Sequence, residues 1–252
     1  MRTLAALAAA AGFLVSPASA AGALPAGFAY LRDIDPTIIQ DMRYATANNF
    51  VGRVLAGYEA GECIVTRAVG AALKRVQQDL GPRGLSLKVY DCYRPQRAVD
   101  EMYVWAQDGR ETAAQRRYNP NMRKADLFRL GYIARRSGHS TGKAVDLTLV
   151  RLPEPVVPPF DVRADYGDCI APARLRAPDS SVDMGTGYDC SDEKAHTGSP
   201  NVSAGQRRWR ETLVAAMAKH GFVNYRLEWW HFSLPGPGRA AHDFPVTRRA
   251  GR

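Results

Sequence analysis

Two short polar clusters, far apart in the chain, constrain its fold more than anything else in the sequence. The first is Ser137-Gly138-His139-Ser140-Thr141-Gly142-Lys143-Ala144-Val145-Asp146, and the second is Glu228-Trp229-Trp230-His231. His139, Asp146 and His231 make up a three-ligand metal set, and Glu228 is a spare carboxylate three residues before the last ligand. A catalytic zinc keeps three protein ligands and leaves its fourth position to water, whereas a structural zinc is closed by four, often thiolates. A carboxylate beside such a water can take its proton. Any fold of this chain that uses the set must therefore bring the two clusters together.

The spacings say how. His139 and Asp146 are an odd number of residues apart, so one flat strand would point them to opposite faces. Gly142 allows a turn between them, which puts His139 on a loop and Asp146 on the strand that follows. Glu228 and His231 also have an odd spacing. A bulge or a strand end in this aromatic run would turn both towards one point, and a helix would too. Trp229, Trp230 and Phe232 favour the strand. His196, His220 and His242 lack an acidic partner at such a spacing and read as ordinary hydrogen-bonded histidines.

The rest of the chain reads as one soluble unit of mixed structure. Thr66 is a candidate N-cap for a helix in which Val69, Leu73, Val76 and Leu80 recur at three- and four-residue intervals, ended by Gly81-Pro82. Leu85, Leu87 and Val89 alternate with polar neighbours as a strand does, and lead into Asp91-Cys92-Tyr93-Arg94-Pro95. A helix is expected over residues 96–107, and residues 143–150 form a second strand carrying Asp146. Pro153, Pro155, Pro158 and Pro159 open an irregular insertion at about residues 150–180, near the site or over it. Ser203 and Gln206 form a capping box for a helix through Lys219. Residues 222–225 and 229–234 read as two further strands. Helices and strands do not alternate regularly, so the expected class is α+β: a single domain with an antiparallel sheet flanked by helices and the metal site on the sheet.

Residues 1–20 are expected to be a cleaved export signal and residues 21–252 the catalytic domain. Arg2 precedes an apolar stretch over residues 4–15, and Ala18-Ser19-Ala20 is a small-residue cleavage site. At about a dozen residues the stretch is too short to cross a bilayer, which takes about 20, so no membrane anchor is expected after cleavage. The loss of Arg2 lowers the formal charge from +9 to +8. Much of that charge lies in residues 110–136, which carry no nucleic-acid motif or interleaved aromatic pattern and read as a solvated basic face. An oxidising compartment favours disulfides among Cys63, Cys92, Cys169 and Cys190. Three connectivities are possible; the favoured pairs are Cys63–Cys92 and Cys169–Cys190, the second clasping the irregular segment. The sequence leaves the oligomeric state open.

The first cluster has the S-x-H-x-x-G-x-A-x-D pattern, and the second the E-x-W-H pattern, of zinc D-Ala-D-Ala peptidases. Within that superfamily the chain resembles the D-alanyl-D-alanine dipeptidases of the vancomycin-resistance type. Residues 41–50 resemble their D-x-(R/K)-Y-A-T-x-x-N-F segment. Asp91 to Pro95 and Asp183-Met184-Gly185-Thr186 resemble their D-x-Y-R-P and D-M-G-T segments. The resemblance implies one zinc ion per chain held by His139, Asp146 and His231, with Glu228 as general base. It implies that Arg94 stabilises charge on the scissile carbonyl, that Asp183 meets the substrate's ammonium, and that Ser137 contacts substrate or orients its loop. The implied reaction is hydrolysis of D-Ala-D-Ala in periplasmic or secreted cell-wall peptide turnover. The alternatives are a D,D-carboxypeptidase acting on stem peptides and a catalytically silent zinc-binding wall module.

Overall fold

The computed structural model describes residues 24–249, so the expected export signal lies outside the described residues. In chain order the elements are β1 (Phe28–Tyr30), α1 (Leu31–Ile34), β2 (Ile39–Gln40), β3 (Ile64–Thr66), α2 (Arg67–Leu80), β4 (Leu85–Asp91) and α3 (Gln96–Gln107). They continue with α4 (Ala113–Tyr118), α5 (Leu127–Leu130), β5 (Ala144–Arg151), α6 (Ala204–Ala218), β6 (Val223–Asn224) and β7 (His231–Ser233). A five-stranded sheet has the order β2-β4-β5-β7-β6, and β1 and β3 pair separately. All pairings are antiparallel except the short edge contact of β2 with β4.

Local chemistry explains the longer elements. The Thr66 side chain accepts the Val69 N–H and starts α2, whose apolar stripe buries Val69, Leu73, Val76 and Leu80. Ser203 and Gln206 close a reciprocal capping box at the start of α6, satisfying two helix-end donors at once. Both helices pack against the sheet, and Leu73, Val76, Leu87, Val89, Leu213 and Met217 share one core cluster. A second cluster forms around α3, where Met102 and Trp105 meet Tyr44, Phe50, Tyr58 and Tyr93. β5 contributes Val145, Leu147 and Leu149 to the first cluster and is buried along nearly its whole length.

The sheet register brings the site residues into one row. Asp91 pairs with Asp146 across β4 and β5, beyond a register shift between Val89 and Asp91. Asp146 in turn pairs with His231 across β5 and β7. The second cluster is shorter as a strand than its aromatic content suggests. β7 begins only at His231, and Glu228 lies in the preceding turn, where Glu228 N–H donates to Tyr225 O and His231 N–H to Glu228 O. Of the expected ways of turning Glu228 and His231 together, a bulge, a strand end or a helix, the chain uses the strand end.

The proline-rich insertion does not cover the site. None of its residues lines the cavity that holds His139. Its far end is fixed instead by Asp179, which accepts from Arg43, Lys88 and Tyr90. Both expected disulfides are present, Cys63–Cys92 and Cys169–Cys190. No helix among the described residues is long and apolar enough to cross a membrane.

Candidate metal centre and active site

Each ligand reaches the centre from a different element. His139 opens a 3₁₀ turn, His139–Thr141, which ends at Gly142 with φ +70°. A side chain at Gly142 would also strike Phe28, since a Cβ there comes within 2.3 Å of the Phe28 ring. Asp146 comes from β5 and His231 from the first residue of β7. His139 Nε2, His231 Nδ1 and Asp146 Oδ1 form a triangle with edges of 3.2, 3.0 and 3.2 Å. A tetrahedral ion with bonds of about 2.0–2.1 Å separates neighbouring ligand atoms by about 3.3 Å, so the three atoms fit one face of such a shell. The neutral tautomer of His139 is set from behind: Nδ1 lies 2.8 Å from the Cys92 carbonyl, to which its N–H donates, leaving Nε2 as a lone pair.

The surrounding charges are arranged around these ligands. Burial pushes the Asp146 carboxyl up, but the two imidazoles outweigh it and hold the group well below the ordinary carboxylate range. Glu228 is driven the other way. Burial, with the charges of Asp146 and Asp189, raises its carboxyl well above the usual value. Its Oε2 lies 3.7 Å from His231 Nδ1. An ionised ligand beside a proton-avid carboxyl is the division of labour that acid–base chemistry needs.

Arg94 is buried above Tyr44, 4.7 Å from its ring centre. Asp91 Oδ2 accepts from Nε and Nη2 at 2.9 Å each and orients the guanidinium. Asp91 is itself buried and held by the Tyr58 hydroxyl at 2.6 Å. Burial works against the Arg94 charge, yet the surrounding phenols and carboxylates outweigh it and keep the group protonated. Nη2 comes within 3.7 Å of Asp146 Oδ2, so Arg94 faces the metal ligands.

One cavity of about 270 Å³ gathers most of the expected residues: Arg94, Ser137, His139, Asp146, Glu228 and His231. Ser137 serves its own loop as well, accepting the His139 N–H at 3.2 Å. Asp183 is not brought to this cavity. Its Oδ1 pairs with Arg176 at 2.6 Å and takes the Gly185 N–H, while Oδ2 accepts from Gln206 on α6. The D-M-G-T segment makes a turn that ties the insertion to α6, and this consumes the carboxylate.

The acid that does line the cavity is Asp189, six positions further on. Its φ of +60° is the one positive value at a non-glycine residue among the described residues. The Tyr44 hydroxyl donates to it at 2.7 Å. Burial and the Asp146 charge push its carboxyl up to about 7. The sequence signal was slight: an acid directly before Cys190, whose disulfide restrains the backbone at that point.

Comparison with known proteins identifies the family. The family model described as D-Ala-D-Ala dipeptidase matches residues 25–157 and 167–248, passing over only a stretch inside the proline-rich insertion. A D-alanyl-D-alanine dipeptidase of Streptomyces coelicolor is 36% identical over 223 residues, covering 87% of this chain and 98% of that protein. One from Enterococcus faecalis is 33% identical, covering 82% of this chain and 91% of its own length. One from Enterococcus faecium is 32% identical, covering 87% and 98%. With its His-Asp-His triangle and the buried Glu228 beside it, the chain belongs to the D-Ala-D-Ala dipeptidase family of metallopeptidases.

Proposed function

We propose that this protein is an exported zinc dipeptidase that hydrolyses free D-Ala-D-Ala to two D-alanines in cell-wall peptide turnover. The observation that carries the reading is the pairing, in one small cavity, of the ligand triangle with the half-buried carboxylate Asp189. A free ammonium finds a partner there, whereas an acylated amine would leave that carboxylate without one. This favours a dipeptide over the acylated end of a stem peptide.

His139, Asp146 and His231 would hold the metal ion, which would supply Lewis-acid activation of the peptide carbonyl and of a water. Glu228 would take a proton from the attacking water and could return it to the leaving amine. Arg94, held by Asp91 and by Met102, whose Sδ accepts from Nη1, offers its free N–H groups to the oxygen that gains charge. Losing one such donor typically costs about 10²–10³ in rate. Asp189 holds the ammonium and so positions the scissile bond.

Export is supported by the apolar stretch after Arg2 and by two disulfides, which persist in oxidising compartments. An enzyme outside the cytoplasm meets dipeptide released from the wall, not the precursor pool within. Purified protein lacking residues 1–20 should cleave free D-Ala-D-Ala in a chelator-sensitive, zinc-restored manner, and should spare N-acetyl-D-Ala-D-Ala and stem pentapeptide. Preference for the pentapeptide would replace this reading with a carboxypeptidase. Glu228→Ala should still bind zinc and lose turnover.

A further inference from the structure

Asp146 presents its two carboxylate oxygens to different neighbours. Oδ1 faces the imidazoles of His139 and His231, while Oδ2 accepts a hydrogen bond from the Tyr188 hydroxyl at 3.0 Å. A carboxylate free to rotate could offer both oxygens to one cation and occupy the position a water needs. Tyr188 cannot easily follow such a rotation. Its ring is stacked on Tyr90 at 4.5 Å and meets Trp230 edge-on at 5.6 Å. Its backbone is restrained on both sides. Gly187 N–H donates to Cys169 O, Asp189 has the left-handed φ, and Cys190 is bridged to Cys169.

We propose that Tyr188 is a positioning residue for the metal centre, holding Asp146 so that Oδ1 alone faces the two imidazoles. Because Tyr188 directly precedes Asp189, the same restrained segment sets both the metal ligand and the ammonium partner. The proposal rests on the reading of His139, Asp146 and His231 as zinc ligands. It adds a residue that touches neither the ion nor the substrate. Partners of metal-binding side chains typically contribute about 10–100-fold in metal affinity.

The test is zinc affinity, measured by chelator competition on the full domain without substrate. Tyr188→Phe keeps the stacked ring and removes only the hydroxyl, and it should bind zinc about 10–100-fold more weakly. Tyr90→Phe is the matched control. It removes a buried hydroxyl from the same ring stack, but one that donates to Asp179, so zinc affinity should not change. Near-ultraviolet circular dichroism of both variants reports whether the stack persists. Unchanged zinc affinity in Tyr188→Phe would overturn the proposal, as would an equal loss in Tyr90→Phe, which would point to general loosening. A parent protein that fails to bind zinc would instead remove the ligand assignment itself.

Discussion

At the scale of single residues, the cavity works by driving like groups apart. Asp146 is held ionised by two imidazoles, while Glu228 and Asp189 are pushed towards their protonated forms by burial and by the Asp146 charge. For Asp189 the sign of the pH effect follows directly. Below about 7 its carboxyl is protonated and offers an ammonium no charge; above that it ionises and pairs. A bound cation would offset the Asp146 charge and lower this value, so kcat/KM for the dipeptide should rise with pH along a limb set by this group at or below about 7. Asp189→Asn should flatten that limb and lower kcat/KM by roughly 10- to 100-fold, the scale of a hydrogen bond to a charged group. A pH profile unaltered by the substitution would remove Asp189 from ammonium binding.

At the scale of elements, the two disulfides brace the pieces of backbone that carry the chemistry. Cys92 stands between Asp91 and Arg94 in sequence, and its carbonyl holds His139 Nδ1. The Cys63–Cys92 bond closes a separation of 29 residues, and chain-entropy reasoning gives such a loop roughly 3–4 kcal/mol. The double variant Cys63→Ala/Cys92→Ala should lose about that much stability in urea unfolding. It should also lose zinc affinity, because the His139 acceptor is no longer clamped. The elements themselves were unevenly legible. The alternation of β4, the stripe of α2 and the capping box of α6 are local patterns, and they survive into the fold with little change. β2 spans two residues and has no local signature, because its pairing with β4 is made by the rest of the chain. The aromatic run at Trp229 and Trp230 reads as strand, yet those rings are buried from a turn, where packing outweighs propensity.

At the scale of the whole molecule, the candidate metal centre joins β5, β7 and the His139 turn, so an ion bound there would stabilise their mutual docking. Zinc should raise the Tm, and chelator should lower it again. At a free concentration about a thousandfold above Kd, the stabilisation amounts to about 4 kcal/mol by mass action. In Asp146→Asn the zinc-dependent part of the Tm should shrink sharply. Equal stabilisation of parent and variant would place the ion elsewhere.

What the sequence determined by itself is the inventory of candidate groups. The ligand types, the spare carboxylate, the arginine after β4 and the cysteine pairs are all readable because each sits in a short motif whose spacing is its meaning. What only the tertiary structure decided is which groups share a cavity. The register of β4, β5 and β7 aligns Asp91, Asp146 and His231 in a row, and no local pattern encodes a register between strands so distant in the chain. The same holds for the acids near the insertion. Asp183 stands in the better motif but spends its oxygens on Arg176 and Gln206, whereas Asp189, itself in the left-handed region beside the Cys169–Cys190 bond, lines the cavity. Motifs name the candidate groups, but long-range packing decides which carboxylate lines the cavity.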